Sequence, residues 1–376
     1  MIGRRDELPT GIPIGGRLAV WRTRRGLTRA ELADRAGMPP VHIAQWESGA
    51  DWMDRHGSLA ALAGALRLDP GELTGQPYAV VGSEHASVRA AAFNLRRQLA
   101  WQQDTDSGVE QVSDLAHRVR AAVAADEAGD DYVLARELPG LIRATDRTAA
   151  MSPPDHGRRA EHLRVRAHVL AARLLRRLGY RDLAWTFVHR ACAGGAEMWV
   201  VVAEEIRLLI DLGLPEYAVA RADRSEEIGN NAELLILKAF AEAMAGHRLR
   251  AGQSLSEAAR RAEDKRSVAA VAVARAAVAV EYGAFDEVAE HTGTVDLSVL
   301  APAARAHLLR VTAAAAARRG DIGLAVAALT EADEAAPWRL RLDPFARELI
   351  VALLARTSGE GQRRALRPLT EWIGPG

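Results

Sequence analysis

From Val109 onward the apolar positions recur at helical spacing, in long stretches of Ala, Leu, Arg and Glu with few β-branched runs. Gly and Pro break these stretches, and the breaks are themselves periodic. Turn glycines stand at Gly179, Gly213, Gly246, Gly283 and Gly320, which are 34, 33, 37 and 37 residues apart. Seven residues before each comes Ala172, Ile206, Ala239, Ala276 or Ala313. Five after comes Ala184, Ala218, Ala251, Val288 or Ala325, and twelve after comes Ala191, Ser225, Ala258, Val295 or Ala332. Mostly small residues at three fixed offsets let two helices pack closely within a unit and against the next unit. Units that stack only on their neighbours build a curved solenoid with a concave groove. Asp114 to Thr148, around Gly129, adds one more helix pair, and Thr357 to Ile373 reads as a polar capping helix. Upstream, Gln76 to Ser83 is a Pro- and Gly-bearing connection, Ser83 to Trp101 can form a helix, and Gln102 to Gly108 is a polar loop.

The N-terminal part has a different pattern. Leu27 to Glu47 reads as helix, tight turn, helix. Thr28 and Glu31 have the spacing of a capping box, in which each residue satisfies the other's backbone N–H. Leu32 and Ala33 face inward, and Gly37 ends the helix because it can take positive φ without steric cost. Pro40 suits the first turn of the second helix, and Ile43 and Trp46 fall on its buried side. The predicted fold is all-α: a helix-turn-helix head over residues 1–75, a linker with one helix over 76–108, and a repeat region over 109–376.

The small Ala33, Gly37 four residues later, Ile43 six after that and Trp46 three further on resemble the Cro/cI-type helix-turn-helix family. The flanks agree: Ile14 to Arg25 fits that family's first helix, and Ser58 to Leu68 followed by Asp69-Pro70-Gly71-Glu72-Leu73 fits its closing helices. The resemblance covers residues 12–75 and implies double-stranded DNA as partner. In such a motif the second helix enters the major groove by its N-terminal end. Pro40, Val41, His42 and Gln45 are then the candidates for base edges. Gln45 can bond bidentately to adenine and Val41 can touch a thymine methyl. Thr28 and Arg29, at a helix N-terminus, are placed for phosphate, and Arg17, Arg22, Arg24, Arg25 and Arg29 form a basic run without an acid. This sequence departs from the family by having no Lys or Arg in the reading helix and by placing Asp51 and Asp54 in the loop after it. Residues 1–75 carry ten Arg against nine Asp and Glu.

The repeat offsets resemble the tetratricopeptide repeat, with its bulky consensus positions poorly kept. The whole plan resembles actinobacterial regulators and peptide-sensing regulators that join such a head to such a receptor. It implies a peptide or small-molecule effector and a homodimer. Counting back from the turn glycines, the groove-facing set includes Arg166, Arg173, Arg176, Arg177, Arg207, Asp211, Glu233, His307, Arg310 and Arg318. Arginines in a concavity suit a carboxylate. Asn231 is placed either to clamp a peptide backbone or to end a turn.

Composition narrows the classes. Net charge is zero over 376 residues, so the protein is not a general nucleic-acid coat. Lys238 and Lys265 are the only lysines among 49 basic residues. The one cysteine, Cys192, cannot form an intramolecular disulfide and is expected as a buried small side chain. No run of 18 apolar residues exists and the N-terminus lacks an apolar signal core, so a cytoplasmic protein without a membrane partner is expected. No nucleophile elbow, phosphate-binding loop or zinc-protease motif occurs and the eleven His are scattered, so no enzyme, metal or cofactor is expected. Two functions remain: a DNA-binding transcriptional regulator with a sensing or dimerising repeat domain, and a repeat scaffold for protein partners with a degenerate head.

Overall fold

The computed structural model describes residues 11–100, 110–192, 198–293, 295–357 and 359–373, and every regular element among them is helical. The head holds α1 (Ile14–Arg24), α2 (Arg29–Ala36), α3 (Pro40–Ser48), α4 (His56–Leu66) and α5 (Pro70–Thr74). After α6 (Gly82–Ala100) the chain runs through antiparallel pairs: α7 (Val112–Ala128) with α8 (Asp131–Met151), α9 (Pro154–Arg177) with α10 (Arg181–Cys192), and α11 (Trp199–Asp211) with α12 (Pro215–Asp223). The next are α13 (Ala232–Met244) with α14 (Arg248–Arg261), α15 (Lys265–Tyr282) with α16 (Phe285–Thr292), and α17 (Pro302–Arg318) with α18 (Ile322–Ala335). The chain closes with α19 (Pro337–Arg341), α20 (Pro344–Arg356) and α21 (Glu360–Thr370). The polar stretch 102–108 lies outside the described residues.

The periodic signals mark real joints. All five turn glycines adopt positive φ, between 70° and 87°, at the bend between the two helices of a pair. The small residues seven before and five after them are fully buried, from Ala172 and Ala184 in the first unit to Ala313 and Ala325 in the last. Thr28 and Glu31 form the capping box, and Gly37 ends α2 at φ 65°. Asn231 caps α13: its side-chain oxygen accepts from the N–H of Glu233 at 2.9 Å and of Leu234 at 3.2 Å, which satisfies donors no intrahelical carbonyl reaches. That uses the side chain locally and removes it from the expected ligand groove.

Two further expectations change. The helix expected inside a linker, α6, buries Val88, Ala91, Ala92 and Leu95 in one cluster with Leu134, Leu138 and Phe187, so it belongs to the repeat body. Cys192 is exposed at the end of α10, because Ala191 takes the inward position one residue earlier.

The arc of helix pairs closes on itself. Arg339 of α19 donates to the Asp126 side chain at 2.7 Å, and Trp338 and Leu342 enter the cluster built by α6, α8 and α9. An added Cβ on Gly129, at the bend of the first pair, would lie 2.6 Å from the Cβ of Ala336. The start and the end of the repeat array are therefore packed together.

Candidate nucleic-acid interface and its junction with the repeats

The head is organised around a buried carboxylate. Glu47, on α3, is 1% exposed and accepts from Arg22 Nε at 2.6 Å and from Arg29 Nε at 2.7 Å. Burial opposes its charge, but the two guanidiniums outweigh burial and hold the carboxyl below its ordinary range. Arg22 also donates to the Leu27 carbonyl at 2.7 Å. This ties α1 and α2 to the reading helix. Close approach of α1 and α3 depends on Gly15, where an added Cβ would stand 1.9 Å from the Trp46 carbonyl oxygen.

On the outer face, Pro40, Val41, His42 and Gln45 are all exposed at the N-terminal half of α3, and the exposed N-terminus of α2 carries Thr28 and Arg29. Val41 is 54% exposed, so its methyls are available on this surface. The His42 ring leans on Trp46 with centroids 5.8 Å apart. Arg25 is exposed and reaches the Arg67 carbonyl at 3.4 Å. These residues are brought together as one outward surface. Arg17 is not part of it. Its guanidinium is half-buried against Gly75, facing Tyr78 and Glu348, and desolvation lowers its pKa. The α1 turn that carries Arg17 is the one that abuts the repeats, so its side chain is committed to the junction.

The opposite side of the head is fastened to the repeat body. Glu281 of α15 accepts from the first two N–H groups of α4, His56 at 3.0 Å and Gly57 at 2.5 Å, and Glu348 of α20 accepts from the Ile14 N–H at 2.6 Å. Both are carboxylates placed at a helix N-terminus, where free donors and the helix dipole favour negative charge. Arg318 of α17 donates to Asp51 and Asp54 at 2.5 Å each and to the Trp52 carbonyl at 2.8 Å, and it stacks 3.9 Å over the Trp52 ring. Arg356 donates to the Ala50 carbonyl at 2.6 Å. Two aromatic side chains interlock the parts: Trp52 is buried with Leu349 and Leu353 of α20, and Phe345 of α20 enters the head's own core. Gly57 permits the contact, since an added Cβ there would lie 2.7 Å from the Met244 carbonyl.

The groove residues read from the sequence divide. Arg173 pairs with Asp126 at 3.0 Å, Arg176 with Glu204 at 2.6 Å and Asp211 at 2.9 Å, and Arg207 with Glu233. Arg177 joins Asp131 at 2.6 Å and Asp126 at 3.0 Å. Burial opposes the charge of Asp126, yet Arg177, Arg339 and Arg173 overwhelm it and hold the carboxyl far below the usual range. Arg173 and Arg207 thus pair with carboxylates of the protein itself, one hydrogen bond each. Arg166 is exposed, two turns before Arg173, and does not line the cavity formed by His307 and Arg310. His307 and Arg310 do line a cavity of about 280 Å³ bounded by α4, α5, α9, α17 and α20.

Residues 13–74 match the family described as a helix-turn-helix domain. The head is a helix-turn-helix domain. No curated protein matches the chain. Among solved structures, Bacillus thuringiensis PlcR in complex with the peptide PapR7 and DNA is similar at 10% identity and a TM-score of 0.29, over 94% of this chain and 98% of that one. No helix among the described residues is long and apolar enough to cross a membrane.

The sequence reading missed how the acids of the head are used. Asp51 and Asp54 point at Arg318, Asp69 pairs with Arg181 at 3.3 Å, and Glu47 is consumed by Arg22 and Arg29. An acidic loop next to a reading helix carries a local signal only for weak DNA affinity. Its partner lies more than 260 residues away, and no spacing rule reaches that far.

Proposed function

We propose that this protein is a sequence-specific DNA-binding transcriptional regulator of the cytoplasm, working as a homodimer whose repeat body receives a peptide or small-molecule signal. The observation that carries the reading is the orientation of the docked head. Its fastening surfaces are the start of α1, α4, α5 and the acidic loop, while the N-terminal half of α3 stays open. The near-neutral formal charge of the head, which favoured the scaffold alternative, loses part of its force. Glu47, Asp51, Asp54 and Asp69 are taken up by arginines, while Arg25, Arg29 and Arg35 remain on the outside together with Glu31 and Asp34 of α2.

In this reading Gln45 and Val41 read bases, His42 and Pro40 shape the same edge, and Thr28 with Arg25 and Arg29 contacts phosphates. Thr28 already receives the Glu31 carboxylate at 2.7 Å on its own N–H, so the free donors for a phosphate are those of the next residues of α2. Selection from a randomised duplex pool, followed by gel shifts on the recovered sequence and on DNA upstream of the coding sequence, tests this. A specific complex that weakens steeply with added salt is expected. Recovery of no preferred sequence, or of complexes indifferent to salt, refutes it.

A further inference from the structure

The junction of head and body encloses a cavity whose chemistry the proposed function leaves open. Its volume of about 280 Å³ sits at the lower edge of small-molecule sites, roughly 300–1,000 Å³, and below what a peptide of many residues requires. Five guanidiniums line it, those of Arg176, Arg177, Arg181, Arg310 and Arg339. Four are hydrogen-bonded to the protein: Arg176 to Glu204 and Asp211, Arg177 twice to Asp131, Arg181 to Asp69 and Gln76, and Arg339 through one Nη to Asp126.

Arg310 is different. Its side chain is 6% exposed, and among the described residues it meets one carboxylate, that of Asp343, at 3.0 Å from Nε. A guanidinium carries five N–H donors in a planar fork. The Nε of Arg310, although 3.0 Å from that carboxylate, is buried without a hydrogen bond, and neither Nη donates to a partner among the described residues. His307 stands one turn earlier on the same face of α17 and opens to the same cavity. Although the residue keeps solvent-exposed surface, desolvation by its surroundings and the neighbouring Arg310 push its pKa down to about 4, so near neutral pH it is an uncharged ring able to donate or accept. Much of the remaining wall is apolar, including Leu59, Ile210, Leu340 and Phe345. Asp211 and Asp343 also face the space, which disfavours a ligand of high negative charge.

We propose that this cavity binds a small monocarboxylic acid with an apolar body, its carboxylate held by the Nη fork of Arg310 and its body against Leu59 and Phe345. Leu59 belongs to the head and Arg310 to the body, so an occupant bridges the two and holds the head in its docked position. This rests on the proposed function, as the identity of its signal.

The test uses the full chain with phenylacetate, benzoate and octanoate as probes, and with phenylacetamide and inorganic phosphate as comparisons, read by calorimetric titration and by the shift in thermal midpoint. At least one acid is expected to bind saturably with a dissociation constant below about 1 mM and to raise the midpoint. The amide and phosphate are expected to be at least tenfold weaker. Arg310→Gln should weaken the acid at least tenfold. Because that change also strips Asp343 of its partner, Ala303→Phe serves as a second variant: it fills the cavity without touching a charge and should abolish binding while the chain stays folded. The proposal is overturned if no acid binds, if phosphate or the amide binds as well as the acid, or if Ala303→Phe binds unchanged. DNA binding is measured separately. A specific DNA complex with no acid binding sinks this proposal alone, whereas acid binding without any specific DNA complex sinks the regulator reading alone.

Discussion

Glu348 gives the sharpest quantitative handle on head docking. It is 8% exposed, and burial drives its pKa from 4.5 to about 7 against the opposing pull of the Ile14 N–H, Arg17 and Arg347. The folded chain therefore holds this proton through a window, from 4.5 to about 7, in which the unfolded chain has already released it. Folded protein binds more protons than unfolded protein there, so stability falls as pH rises through the window and levels off above it. At about 1.4 kcal/mol per pH unit the full penalty is ~3 kcal/mol, of which ~2–3 kcal/mol is incurred between about pH 5 and 8. Glu348→Gln keeps an oxygen to accept the Ile14 N–H, which stands at 2.6 Å in the native chain, and removes the titration. Denaturant unfolding at a series of pH values should show the variant gaining on the parent by that amount as pH rises from about 5 to 8. Subtracting the two curves cancels other titrating groups, His307 among them. A constant difference across the series would refute the argument, because it would mean that Glu348 is ionised throughout and that its neighbours compensate fully for its burial.

Arg318→Ala removes the partner of Asp54, itself 6% exposed, together with the stack on Trp52, and should cost about 3–5 kcal/mol of stability with faster amide exchange in α4 and the preceding loop; an unchanged exchange rate there would mean that the latch does not hold the head. Gly15→Ala places a methyl 1.9 Å from the Trp46 carbonyl and should destabilise the head by about 1–3 kcal/mol or more, read as loss of DNA binding before loss of total helix signal on heating. Gln45→Ala should cost about 1–3 kcal/mol at one base pair of the selected site and leave binding to random DNA unchanged, by competition gel shift; Arg29→Ala should weaken both alike, since phosphates carry no sequence.

Local patterns and distant pairings were unequally legible. The turn glycines from Gly179 to Gly320 and the small residues beside them are dictated by chain geometry at each bend, so a one-dimensional period reveals them. The capping box at Thr28 and Glu31 and the buried Ile43 are local in the same sense. Closure of the array through Arg339 and Asp126 is not local, nor is the seating of the head through Arg318, Glu281 and Glu348. Each joins residues more than 200 positions apart, and nothing in the spacing of either partner encodes the other. Charges suffer most. Arg173 and Arg207 are expected on the concave side, but a sequence shows a guanidinium without showing whether Asp126, Glu204 or Glu233 already pairs with it.

The same ambiguity explains why the acidic loop misled. A loop with Asp51 and Asp54 beside a reading helix would repel phosphate if it faced outward; fastened to Arg318 it determines where the head sits. Docking leaves the N-terminal half of α3 open, so control cannot work by covering the reading surface. What docking can govern is the position of each head relative to its own body, and in the proposed homodimer the distance and angle between two heads. Half-sites one helical turn apart, about 34–36 Å, tolerate little error in that distance. A ligand shifts such an equilibrium only as far as it prefers one state over the other. In the proposal the cavity beside Arg310 meets that condition, because its walls come from both parts, Leu59 from the head and Arg310 from the body.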